Sequence, residues 1–140
     1  MIYVDTSVFV AAFTMEPVHT RKAQKFLMQE QELQSSLWAV TEFASALMMK
    51  LRRGDINDSY REEAWQRFKE LLRARPILRE VPGDTYEQAS ELVIESNELR
   101  AADALHLAAA RQLKCDEFAT FDKTLARVSS KFGVARFHFS

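Results

Sequence analysis

The sequence predicts an α/β domain built on a mainly parallel sheet, and three observations carry that prediction. Short apolar runs of strand character recur at residues 2–5, around 33–37, 77–81, 117–121 and 134–139. Segments of helical periodicity lie between them, and this alternation is how parallel strands are connected. The chain has 140 residues with no Pro/Gly/Ser-rich linker, repeat or low-complexity tract, so it reads as one domain, 1–140, able to bury a proper core.

The elements follow in order. Ile2-Tyr3-Val4-Asp5 leads into a helix for which Thr6 or Ser7 is the expected N-cap. A second helix is expected from about Glu16 to Gln31, with Pro17 near its first turn, where a missing N–H is harmless. The third, about 38–53, stops at Gly54. A fourth starts near Asn57-Asp58-Ser59 and runs to about Arg73, before Pro76. Residues 38–73 thus form a helical hairpin carrying Leu47, Leu51, Tyr60, Ala64, Trp65, Phe68, Leu71 and Leu72. That apolar surface serves either the core or a homodimer interface. Asp84 is placed to cap a helix of about 85–98. An Ala-rich helix follows at about 101–114, its small side chains allowing close approach to the sheet. A short helix of about 122–130 begins at Asp122 and precedes the last strand.

Composition narrows the class. Apolar residues make up 47% and charged residues 28%, as in ordinary globular domains. No apolar run approaches the ~18 residues of a membrane span, and no signal-like segment precedes the first strand. The single cysteine, Cys115, cannot form an internal disulfide, which points to a reducing, cytoplasmic location. One Cys and three His supply no zinc spacing. Net charge is −1, and removing four negative charges to a bound metal would leave +3. Charge therefore permits RNA binding without demanding it.

Four acids stand out by their surroundings. Asp5 and Asp122 end apolar runs where a strand becomes a helix, and each has the simpler reading of a helix cap. In open α/β sheets, however, ligands bind outside the carboxyl ends of strands. Glu42 has Trp38, Ala39, Phe43 and Ala46 as its helical neighbours, unusual company for a surface glutamate. Asp103 opens the Ala-rich helix, with Arg100 or His106 as alternative structural partners. A half-buried carboxylate is costly unless paired or bound to metal. If the four converge, they suit magnesium or manganese, which prefer oxygen ligands. One or two such ions would activate water and stabilise a leaving oxygen in phosphodiester hydrolysis. Ser7 and Thr120 are then candidates for positioning water or substrate. His106, on an apolar helix face, is read as a structural, hydrogen-bonded histidine.

The ordered set Val4-Asp5-Thr6-Ser7, Glu42, Arg100-Ala101-Ala102-Asp103-Ala104-Leu105-His106-Leu107-Ala108 and Thr120-Phe121-Asp122 resembles PIN-domain proteins, specifically the small ribonuclease toxins of VapC type. The resemblance spans essentially the whole chain. It implies a three-layer α/β/α fold with a five-stranded parallel sheet of order 3-2-1-4-5. It also implies Mg2+- or Mn2+-dependent endoribonuclease activity, homodimerisation and a VapB-like antitoxin. Asp5, Glu42, Asp103 and Asp122 would be the catalytic and metal-binding quartet, with Asp116 the alternative fourth member.

Other classes fit less well. A haloacid-dehalogenase-type phosphatase needs a second Asp two residues after the first, where this chain has Ser7. There is no P-loop run, and Gly54, Gly83 and Gly133 are too scattered for a dinucleotide fingerprint. A Gly-x-Ser-x-Gly elbow is also missing. The remaining alternative is a PIN-like RNA-binding or protein-interaction module without catalysis.

Overall fold

The computed structural model describes all residues, 1–140. Its strands are β1 (Ile2–Val4), β2 (Leu33–Ser36), β3 (Leu78–Arg79), β4 (Glu117–Ala119) and β5 (Ala135–Arg136). They form one five-stranded sheet of order β3-β2-β1-β4-β5, and every pairing is parallel. The helices are α1 (Thr6–Phe13), α2 (Thr20–Met28), α3 (Trp38–Arg53), α4 (Asp58–Ala74), α5 (Asp84–Ser96), α6 (Ala101–Gln112) and α7 (Lys123–Lys131).

Strand alternation divides the interior in two. Ile2 and Val4 of β1 face a core with α1, α2, α3 and α4, whereas Tyr3 faces a core with α5, α6 and α7. β4 does the same with Ala119 and Phe118. The result is the expected three-layer α/β/α arrangement. The alanines of α6 at 104 and 108–110 are buried, so this helix lies close against the sheet.

The α3–α4 hairpin belongs to the first core. Phe43 and Phe68 are buried and stack with ring centroids 4.0 Å apart. Tyr60, Trp65, Leu71 and Leu72 pack partly against the same cluster. Each fully buried phenylalanine contributes about 1.5–3 kcal/mol relative to exposure. Gly54 closes α3 in the left-handed region, at φ 79°, and Asn57 caps α4 by accepting from the Tyr60 N–H.

Several boundaries differ from the sequence expectation. α2 starts at Thr20 rather than Glu16, because the Thr20 hydroxyl accepts from Glu16 N and donates to Thr14 O, folding 14–20 into a separate turn. It ends at Met28, since Gln29 turns extended with ψ 149°. Asp5 itself is the N-cap of α1, and Thr6 is already helical. Asp84 lies inside the first turn of α5 instead of capping it. The last strand is only Ala135–Arg136; after it Phe137 N still bonds Phe118 O, and Phe139 lies beyond the ladder.

Candidate active site

Parallel wiring sends the carboxyl end of every strand to one edge of the sheet, and the four acids gather there. Asp5 follows β1 and caps α1, accepting from Ser7 N. Asp122 lies just beyond β4 and caps α7, accepting from Leu125 N. Asp103 occupies the first turn of α6, and its carboxylate accepts from Arg100 N. Three carboxylates thus stand at three helix N-termini, where the helix dipole favours negative charge. Glu42 projects from α3, whose neighbouring Phe43 and Ala39 are locked into the core. Asp116 precedes β4, lies at the opposite edge, and accepts from the Met1 amine at 2.8 Å.

Each carboxylate has one oxygen held and one free. Asp5 Oδ2 accepts from Thr120 Oγ1 at 2.8 Å and Ser7 N at 3.4 Å. Glu42 Oε1 accepts from Thr6 Oγ1 at 2.7 Å and bonds His106 Nε2. Asp103 uses Oδ2 for the Arg100 amide, and Asp122 uses Oδ1 for the Leu125 amide. The other oxygen of each has no hydrogen-bond donor, although His106 Nε2 lies 3.7 Å from Asp5 Oδ1. No Lys or Arg pairs with any of the four; the single cation-capable side chain within ion-pair distance of them is His106.

His106 is a hub beneath the site, as its apolar helix predicts. It is buried, with Nδ1 2.8 Å from Tyr3 OH and Nε2 directed at Glu42. Burial pushes the Tyr3 phenol well above its ordinary value, so it stays protonated, and it shares with His106 Nδ1 a hydrogen bond whose direction follows the imidazole's protonation. Burial also opposes a charge on His106, but Glu42, Asp5 and Asp103 outweigh it and raise the imidazole above its usual range. Glu42 responds in the opposite sense: burial pushes it up, yet His106 and Thr6 bring it below the ordinary glutamate value.

Asp103 reports how closely the acids are coupled. Burial, then the charges of Asp5, Asp122 and Glu42, raise its carboxyl above the usual range. Negative charge is therefore concentrated without a basic counterpart, an arrangement that a divalent cation would relieve. No three His, Cys, Asp or Glu side chains form a ready-made cage. The donor set nonetheless fits a hydrated hard cation, since magnesium is commonly bound through one or two carboxylates and keeps several waters.

Ser7 and Thr120 are both engaged by protein. Their hydroxyls lie 3.2 Å apart, Ser7 Oγ accepts from Phe121 N, and Thr120 Oγ1 accepts from Asp122 N. Tyr3 and the Thr6 hydroxyl were not singled out as site residues by sequence. The signal available was parity: Tyr3 lies two residues before Asp5, and His106 one helical turn after Asp103.

The fold has relatives among known proteins. In the solved structures, FitAcB from Neisseria gonorrhoeae matches with TM-score 0.71 and 20% identity, covering 99% of this chain and 97% of that one. VapC20 of Mycobacterium tuberculosis, a Sarcin-Ricin loop cleaving toxin, matches at TM-score 0.68 and 20% identity, covering 91% and 95%. PAE2754 from Pyrobaculum aerophilum follows at 0.67 and 21%, covering 96% of this chain and 82% of that one. These likenesses concern the fold. Among curated proteins, none matches the chain. A family model, PIN domain, matches residues 2–131, nearly the whole length, and the chain belongs to the PIN-domain family.

Proposed function

We propose that the chain is a metal-dependent endoribonuclease that hydrolyses RNA phosphodiester bonds, and that it is the toxin of a type II toxin–antitoxin pair. One observation carries the nuclease reading: four carboxylates, each with one anchored oxygen, share an edge and none of them is ion-paired to a Lys or Arg. The free oxygens of Asp5, Glu42, Asp103 and Asp122 would hold Mg2+ or Mn2+. Such an ion supplies an activated water and stabilisation for the leaving oxygen.

The protein's own part is positioning. Thr120 and the Ser7 amide fix the Asp5 carboxylate, while Thr6 and His106 fix that of Glu42. The Tyr3 phenol holds the His106 ring in turn. Partners are proposed on the resemblance to VapC-type proteins and on the fold shared with VapC20 and with FitAB bound to an IR36 DNA fragment. They are an RNA substrate, a VapB-like antitoxin and a second copy of the chain. The outer face of α3, with Trp38, Met48 and Met49 exposed, is the surface offered to the second copy. No helix is long and apolar enough to cross a membrane.

The test is cleavage of a structured RNA by antitoxin-free protein with Mg2+ or Mn2+, beside Asp5→Asn and Asp103→Asn. Metal-dependent cleavage lost in both variants supports the reading. Wild-type protein that neither cleaves RNA nor binds Mn2+ overturns it, and undiminished cleavage by both variants overturns the residue assignment.

A further inference from the structure

Beside the carboxylates, the same sheet edge carries a cavity of about 180 Å3 built from rings and cations. Phe121 stacks on His19, with centroids 4.3 Å apart and planes at 21°, and on Phe139, at 4.4 Å and 23°. Phe137 meets Phe139 edge-on at 5.1 Å. These four rings are half-buried, while Lys22, Lys123 and Arg136 around them are exposed.

The three cations are uncommitted. None of them makes an ion pair, whereas Arg127 and Lys131, on the same helix as Lys123, are both drawn to Glu98. Thr120 and Asp122 also line the cavity, so it adjoins the carboxylate cluster: Asp122 belongs to both, and Thr120 Oγ1 donates to Asp5 Oδ2. Three separate stretches of chain build it: the start of α2, the β4–α7 turn and the segment after β5.

Rings flanked by free cations match a ligand that has both planar faces and regularly spaced anions. Single-stranded nucleic acid has both, because unpaired bases stack and phosphates follow the backbone. A duplex hides its base faces, and an acidic peptide would use only the cations. We propose that this cavity is a subsite for a nucleotide of single-stranded RNA next to the scissile phosphate. The base packs against the ring wall, and Lys22, Lys123 and Arg136 hold the neighbouring phosphates. Its place in catalysis rests on the nuclease reading; its binding chemistry does not.

The experiment measures binding of a short, unstructured, labelled RNA in EDTA across a salt series. A triple variant, Lys22→Ala/Lys123→Ala/Arg136→Ala, is compared with wild type and with Arg127→Ala/Lys131→Ala, all checked for unchanged Tm. Single strands contribute a salt slope of roughly 0.7 per phosphate contact, so the triple variant loses about 2 from the slope. His19→Ala weakens binding roughly tenfold through lost stacking. The Arg127/Lys131 pair changes neither.

In Mn2+ the triple variant raises KM for cleavage and leaves kcat near wild type. Wild-type slope and affinity in the triple variant overturn the subsite, and overturn it in favour of a protein partner if binding to polyglutamate is lost instead. Wild-type protein that binds RNA through these residues yet never cleaves it sinks the nuclease reading and leaves the subsite standing. No RNA binding by wild type sinks the subsite whether or not cleavage is seen.

Discussion

Thr120 joins two of the candidate metal-binding residues: its hydroxyl donates to Asp5 Oδ2 at 2.8 Å and accepts from the Asp122 amide at 3.0 Å. Thr120→Val keeps the shape and deletes both bonds together with the 3.2 Å contact to Ser7 Oγ, leaving a buried carboxylate oxygen short of a donor. The expected loss is about 1–3 kcal/mol by urea denaturation in EDTA. Thr120→Ser restores most of it. A valine variant as stable as wild type would show that the bond does not hold Asp5.

Asp103 is held in an unfavourable state, its carboxyl raised by burial and by Asp5, Asp122 and Glu42. Asp103→Asn removes one of four mutually repelling charges, so metal-free Tm rises or stays level while the Mn2+-induced rise in Tm shrinks. Outer-shell partners of metal sites are worth 10–100-fold, so cleavage falls by roughly a hundredfold or more. A lower metal-free Tm with an intact Mn2+ response would reverse this account.

The His106–Glu42 pair predicts a stability plateau in pH. Glu42 is depressed from its ordinary 4.5, so its contribution is present above that pH and fades as pH falls through its folded value. His106 is raised from 6.5, so its contribution is complete below that pH and fades as pH rises through its folded value. The pair therefore supports the metal-free fold best between these two limits. Urea titrations in EDTA across pH follow this, and Glu42→Gln flattens the alkaline limb. Stability that climbs above pH 6.5 contradicts the pairing.

Phe68 tests how far the core governs the site. It packs against Phe43, Phe9 and Phe13, and Phe43 directly follows Glu42 on α3. Phe68→Ala is expected to cost about 3–5 kcal/mol. If the variant remains folded, its Mn2+ response weakens as well, because α3 loses the packing that aims Glu42. An undiminished response would separate the core from the site.

Cys115 is buried, and burial raises its thiol to about 11. At about pH 8 a thiol-specific disulfide reagent leaves native protein unmodified and labels it at once in denaturant. Rapid labelling of folded protein would show that the α6–β4 connection opens readily.

Much of this architecture is legible in the sequence because it depends on local patterns. Apolar runs ending in Asp5 and Asp122 mark strand ends, and Gly54 and Asn57 mark the hairpin turn. The Tyr3–His106–Glu42–Thr6 network was less visible, since ordinary residue types far apart in the chain meet only after folding. The start of α2 moved for the same reason: Thr14 and Thr20 bond across a turn that no helical periodicity encodes. Phe137 and Phe139 fall in the run read as a strand over 134–139, but the strand ends at Arg136, and their rings pack against the first core while forming the wall of a cavity.

The central place of β1 has a consequence in time. Just after it, the Asp5 amide bonds Ala119 O and the Asp5 carboxylate accepts from Thr120, so the first acid of the chain is anchored by a residue 115 positions later. β2 can join β1 early in synthesis, but the edge where the acids meet cannot close until β4 has emerged. A chain halted before residue 117 keeps Asp5, Glu42 and Asp103 yet lacks the strand and turn that bring them to order. Assembly of the candidate site is thereby tied to synthesis of β4 and the turn after it.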